Sequence, residues 1–348
     1  MHIHGRNRVL LGALFAAFAL LGPANAFAAH DLGLYRPEQQ VTLESDEQTA
    51  DISCNPGDIA LDGMWRIDHA DQDDDDLYLT ALGRAVDVLE AYPKLGFGAA
   101  SNNHRDTYHF LFEKNAIGRV QLKIFLVCVK QKTEAAGSPN HQHSIPIQNF
   151  TSAGNTGTFT TPAATTGSPR SCKPGLEFVS TPGFQIAYST ADPNPYLGHV
   201  RTDWTPTSGM TKWQWDIDLS QDGGATVTYY WSCVGRKLPQ AGGEKHKLVY
   251  RYNGVQTDTI NSKSIRTVRQ SCGAAYKAVV AGFDFQFNAF GPNIPDLNPD
   301  PSYPSAPHLW WLGMDPQPKS RDFKFLNGDP SNSWNVHTTA ICLNYRTT

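Results

Sequence analysis

Ser53-Cys54-Asn55-Pro56-Gly57 opens a segment that returns as Ser171-Cys172-Lys173-Pro174-Gly175 and, shortened, as Ser271-Cys272-Gly273. Each opening leads to an apolar run around a glycine: Gly63-Met64-Trp65-Arg66-Ile67, Gly183-Phe184-Gln185-Ile186 and Gly282-Phe283-Asp284-Phe285. The segments also close alike. Leu122, Val227 and Val336 each stand six positions before Cys128, Cys233 and Cys342, and Val129, Val234 and Leu343 follow those cysteines directly. Shared punctuation of this kind marks degenerate tandem repeats.

Six cysteines permit 15 pairings, and spacing alone does not choose among them. The flanks divide them into openers and closers. That division predicts Cys54–Cys128, Cys172–Cys233 and Cys272–Cys342, one bridge per unit. No C-x-x-C pair occurs, so neither a zinc ribbon nor a redox dithiol is readable.

Strand signals dominate the units. Trp213, Trp215 and Ile217 alternate with polar residues, as do Phe323 and Phe325, and Phe283, Phe285 and Phe287. Asn253-Gly254 lies in a hairpin-like setting. Short strands separated by Gly, Pro and Asn predict an all-β chain of three tandem antiparallel β-sandwich or barrel-like units. One helical insertion is expected in the first unit. Leu79, Leu82, Val86 and Leu89 fall on one helical face between the acidic run and Pro93.

The boundaries that follow are a signal peptide at 1–28, a first unit at 29–135, a second at 171–240 and a third at 241–348. Residues 136–170, rich in Ser, Thr, Gly and Pro, read as a linker with a few edge strands. The signal rests on Arg6 and Arg8, the apolar stretch Val9 to Leu21, and A-x-A sites ending at Ala26 and Ala28. An exported protein (extracellular, cell-surface or periplasmic) is expected, with no membrane span after cleavage, in a compartment where disulfides persist.

Composition excludes other classes. Lys and Arg number 29 against 33 Asp and Glu, a net charge of −4 with no basic footprint for nucleic acid. Aromatics at 11% supply ample core material, so wholesale disorder is excluded. No nucleophile elbow, P-loop or H-E-x-x-H motif is present. Asp216 and Asp218 share one strand face, with Asp68 and Asp284 on early strands elsewhere, and read as outward polar positions. His104 and His109 form a loose group. The His141-Gln142-His143 pair could share a metal ion, but it falls in the linker and reads as solvated side chains. Asp71, Asp73 and Asp75 are weak calcium candidates. The EF-hand template fails there, because Asp76 and Leu82 occupy its glycine and glutamate positions.

No catalytic residue, cofactor or firm metal site is therefore expected. Trp310, Trp311, Trp213 and Trp215 form the one candidate contact patch. The reading that follows is an exported, non-enzymatic structural protein, a surface, adhesive or filament-type subunit. Its partners would be its own copies or other surface proteins; the first alternative is a carbohydrate- or ligand-binding secreted protein that uses exposed aromatics, with polysaccharide as its ligand. A polysaccharide hydrolase with an unrecognised carboxylate pair is the second alternative.

Overall fold

The computed structural model describes residues 29–70, 86–94, 105–114, 118–155, 157–160, 171–188, 200–219, 225–285, 309–328 and 333–348. All regular structure among them is β. A two-residue strand, β1 (Leu34–Tyr35), precedes three rounds of six strands. The first round is β2 (Glu38–Leu43), β3 (Glu47–Ser53), β4 (Ile59–Ala70), β5 (Val86–Lys94), β6 (Thr107–Lys114) and β7 (Val120–Val129). The second is β8 (Ile147–Asn155), β9 (Gly157–Thr160), β10 (Glu177–Tyr188), β11 (Val200–Pro206), β12 (Trp213–Leu219) and β13 (Ala225–Gly235). The third is β14 (Tyr250–Ile260), β15 (Ser264–Ser271), β16 (Tyr276–Phe285), β17 (Leu309–Gln317), β18 (Ser320–Asn327) and β19 (Trp334–Asn344).

No sheet belongs to one round. The first sheet runs β1-β7-β4-β17-β18-β15, with β2 also on β7; the second runs β3-β6-β5-β10-β13-β8; the third runs β14-β19-β16-β11-β12-β9. In every round the opening strand pairs with the closing strand (β4 with β7, β10 with β13, β16 with β19) and the middle hairpin is donated to a neighbouring round. The seams are β5–β10, β11–β16 and β17–β4, all antiparallel. The first and second strands of each round (β2 and β3, β8 and β9, β14 and β15) carry the chain from one sheet into the next. Three sheets joined this way enclose a single core.

The alternation of residues explains the strands. Tyr108, Phe110 and Phe112 on β6 face inward while His109, Leu111 and Glu113 are less buried, and Trp213, Trp215 and Ile217 repeat the pattern on β12. β7 is buried along almost its whole length, as a central strand must be. Two of the repeated glycines mark seams. A Cβ on Gly282 would lie 2.2 Å from the Trp204 carbonyl oxygen, and one on Gly183 would lie 2.9 Å from that of Ala91. Only glycine lets neighbouring rounds approach that closely.

The bridges Cys54–Cys128, Cys172–Cys233 and Cys272–Cys342 are formed, each tying the lead-in of an opening strand to a closing strand, with Cα separations of 5.7, 5.4 and 5.6 Å. They close 74, 61 and 70 residues. By loop entropy each contributes about 4 kcal/mol. The interior also holds a charged pair across a seam: Arg321 on β18 donates to Asp62 on β4 at 3.4 Å, and both side chains are closed to solvent. Asp62 accepts a second hydrogen bond from the Ala281 amide. Burial pushes the Asp62 carboxyl up to about 7, against the opposing pull of Arg321.

Several expectations need correction. The helical insertion is not present where it can be followed: Val86 to Glu90, its last turn, belong to β5. A β-bulge between Val88 and Glu90 inserts Leu89 as an extra residue. The bulge turns an alternating strand into a pattern with helical spacing. The rest of that segment, with the calcium candidates Asp71, Asp73 and Asp75, lies outside the described residues. The three units are not separately closed sandwiches, because every sheet is drawn from two of them. The 136–170 stretch supplies β8 and β9, each at the edge of its sheet.

Candidate metal centre

Beyond the closing strands the chain forms three straps with one hydrogen-bonding scheme. Strap one, residues 130–146, joins the first round to the second. Strap two, residues 236–249, joins the second to the third. The third strap has no continuous chain: residues 29–33 lie beside residues 345–348. In strap one the Thr133 amide donates to the His143 carbonyl at 2.9 Å; in strap two the Leu238 amide donates to that of His246 at 3.0 Å. In strap three the Thr347 amide donates to the His30 carbonyl at 2.9 Å. The hydroxyls add a return bond where they exist, from the His143 amide to Thr133 Oγ1 and from the His30 amide to Thr347 Oγ1. Each strap thus pins one histidine at the same place.

The three imidazoles converge. Ring centroids of His30, His143 and His246 are separated by 4.7, 4.9 and 4.8 Å, and all three residues are buried. His141, two residues before His143, closes against His30 and His143 at 4.7 and 5.0 Å. The ligand atoms of these four histidines all lie within 4.8 Å of one another. Glu244, two residues before His246, holds the position in strap two that His141 holds in strap one. Its Oε2 is 2.9 Å from His246 Nε2, 3.6 Å from His141 Nε2 and 4.0 Å from His30 Nε2.

Backbone carbonyls fix the tautomers. His30 Nδ1 faces the Glu134 oxygen at 3.0 Å, His143 Nδ1 the Pro239 oxygen at 2.9 Å and His141 Nδ1 the Pro139 oxygen at 2.8 Å. A carbonyl only accepts, so we assign the proton of each neutral ring to Nδ1, which leaves a lone pair on Nε2. Nε2 of His30, His141 and His143 is buried without a hydrogen-bond partner. A buried nitrogen left bare in this way costs about 1–3 kcal/mol unless something occupies it. Burial pushes the His143 imidazole down, toward the neutral form that binds metal. The hydrogen bond from His246 holds the Glu244 carboxyl below its usual range, so it is anionic.

The donor set fits a borderline divalent ion. A tetrahedral zinc ion at roughly 2.0–2.1 Å from imidazole nitrogens sets them about 3.4 Å apart, so the widest pair, up to 4.8 Å apart, must close by up to about 1.4 Å. Carbonyl acceptors on the far ring nitrogens are the usual orienting partners of metal-bound imidazoles. His246 must carry its proton on Nδ1 instead of Nε2, where Thr347 Oγ1, 3.3 Å away, can accept the hydrogen bond. Glu244 or His141 then supplies the fourth ligand. A metal held by four protein ligands would have the closed coordination of structural zinc sites.

Sequence reasoning named half of the four-histidine cluster. His141 and His143 carried the metal pattern but were assigned to a solvated linker; His30 and His246 stood alone. A signal was available: His30, His143 and His246 precede the opening cysteines of the three units by 24, 29 and 26 residues. The other candidates are dispersed. His109 sits on the second sheet between Asp51 at 2.6 Å and Glu90 at 3.5 Å, and His104 lies outside the described residues. Trp213 and Trp215 are fully buried and so are core, not contact surface. They occupy the inward positions of β12. Trp310 and Trp311 lie on β17 opposite Leu326 and Phe325, and their side chains fall outside the described set. Asp216 and Asp218 lie on β12 in register with Asp203 and Arg201, and Asp68 takes part in an ion pair with Arg66 at 2.6 Å.

No protein-family model and no curated protein matches the chain.

Proposed function

We propose that this protein is an exported, non-enzymatic scaffold that holds one divalent transition-metal ion where its three straps meet. The observation that carries the reading is the convergence of His30, His143 and His246, one from each strap, with bare Nε2 atoms on two of them. Zinc suits three imidazoles and a carboxylate best, while copper(II) binds such sets more tightly in simple competition. Three disulfides fit the oxidising compartment that export implies. Among the described residues, no helix is long and apolar enough to cross a membrane.

Calorimetric titration of the chelator-stripped protein with zinc tests the reading. One ion per chain is expected, with binding lost or weakened by about 100-fold or more in a His143→Asn, His246→Asn double variant, since two of four ligands are removed. Absence of stoichiometric binding in the wild type, or equal affinity in the double variant, overturns it.

A surface or filament-type role for the scaffold is supported by its sheet edges. β14, eleven residues long, lies at the edge of the third sheet and exposes Val255 at 56%. An edge of that length is a template for strand addition by a second copy. Ordered assemblies in electron micrographs are the expected result, and a monomer at high concentration would remove this role.

A further inference from the structure

Straps one and two are continuous chain, but strap three is made from two segments far apart in sequence. The N-terminal segment meets the C-terminal one through Leu32 N–H to the Tyr345 carbonyl at 2.8 Å and the His30–Thr347 pair. It meets strap one through Glu134 N–H to the Asp31 carbonyl and Lys130 N–H to the Gly33 carbonyl. The C-terminal segment pairs with strap two, where Lys247 and Thr348 exchange backbone hydrogen bonds of 2.9 and 3.1 Å. An ion pair between Asp31 and Arg346 joins the two segments, but both side chains are half exposed. A pair of that kind contributes at most about 1 kcal/mol.

None of the three disulfides reaches this junction. The first bridge begins at Cys54 and the last ends at Cys342, so residues 29–35 and 345–348 lie outside every covalent loop. Each round is stapled internally, and the link between the third round and the first is not. Among the described residues, the fully buried charge pair across that seam, Asp62 with Arg321, lies in the sheets and holds neither 29–35 nor 345–348. His30 is the only member of the histidine cluster on a chain-end segment, and its partners His143 and His246 sit on the two continuous straps.

We propose that the ion bound by His30, His143 and His246 is a clasp that fastens the N-terminal segment to both continuous straps and so closes the ring of three repeats. This rests on the metal-binding reading above. Ligation adds a fourth cross-link at the one inter-repeat junction that lacks a covalent tie, and it does so without a redox-sensitive bond. Opening of the third strap then requires loss of a metal–nitrogen bond in addition to the backbone hydrogen bonds. The segments 29–35 and 345–348, held to each other by a few hydrogen bonds and one exposed ion pair, become fastened, while the strands, already held by sheets and bridges, gain little.

Hydrogen exchange followed by mass spectrometry, on the exported chain with and without zinc, tests the clasp. Zinc is expected to slow exchange in residues 29–35 and 345–348 by about tenfold or more, with little change in β4, β7, β13 or β19. His143→Asn, which leaves both end segments native, should abolish that protection; a purely local effect of altering His30 cannot mimic this result. Stoichiometric zinc binding with unchanged exchange at the chain ends overturns the clasp and leaves the metal reading standing. Absence of zinc binding removes the metal reading, and the clasp with it.

Discussion

Gly282→Ala tests the central claim about the architecture, that the repeats share sheets. The new methyl would stand 2.2 Å from the Trp204 carbonyl oxygen, 2.8 Å from Thr205 Cα and 3.0 Å from the Trp204 carbonyl carbon. These are backbone atoms of β11, so no side-chain rotation relieves the contact. β11 must retreat by about 1 Å, and the β11–β16 seam has only the Trp204–Phe283 register pair to yield. Overpacking of this kind costs about 1–3 kcal/mol. A weakened seam hydrogen bond adds about 1 kcal/mol. The stiffer unfolded chain returns about 0.4–1 kcal/mol. The net expectation is a loss of about 2–3 kcal/mol. Gly254→Ala is the control. No atom lies within 4 Å of its Cβ position, so only the unfolded-chain term operates and the variant should be slightly more stable. Guanidinium unfolding of both variants with disulfides intact, followed by tryptophan fluorescence, measures the difference. If Gly282→Ala is as stable as Gly254→Ala, β16 does not lie against β11 and the shared-sheet arrangement is wrong.

Four further outcomes are expected. Replacing Cys172 and Cys233 together by serine should cost about 4 kcal/mol, read as a lower denaturation midpoint without loss of β-type circular dichroism in water. Trp215→Ala should cost about 3–5 kcal/mol, because its ring is fully buried and packs on Tyr229 at 5.1 Å; a cost under 1 kcal/mol would return Trp215 to the surface. Asp62 gives a pH signature. Its carboxyl is raised from 3.8 to about 7 in the fold, so the folded state binds the extra proton and stability falls as pH rises from about 4 to 7, by up to about 4 kcal/mol. Asp62→Asn, a neutral stand-in for the protonated carboxyl, should flatten that part of the stability–pH curve; an unchanged slope would place the titration elsewhere.

The parts of the fold legible in the sequence were those encoded locally. Cysteine roles could be separated because each opener is followed by its own turn and each closer ends an apolar strand. The inward stripe Trp213, Trp215, Ile217 was legible as a strand, yet the same alternation suggested surface aromatics, since periodicity does not say which face is covered. Covering depends on the neighbouring rounds, which meet through seams such as β5–β10 that join residues 95 positions apart (Glu90 to Gln185). The β5 bulge misled in the other direction, imitating a helix by inserting Leu89. The metal centre was least legible. His141 and His143 show a ligand spacing, but His30 and His246 gain meaning only when residues 29–33 and 345–348 lie side by side and the three straps prove equivalent.

That equivalence makes the place where the ring of straps is interrupted arbitrary. Thr347 and His30 stand in the relation that Thr133 and His143, or Leu238 and His246, hold across connections of nine and seven residues. A short peptide joining Thr348 to Ala29, with new ends cut at Gly242-Gly243, would give a circular permutant. Every strand would keep its neighbours, each bridge would keep its partner, and the three axial histidines would still converge.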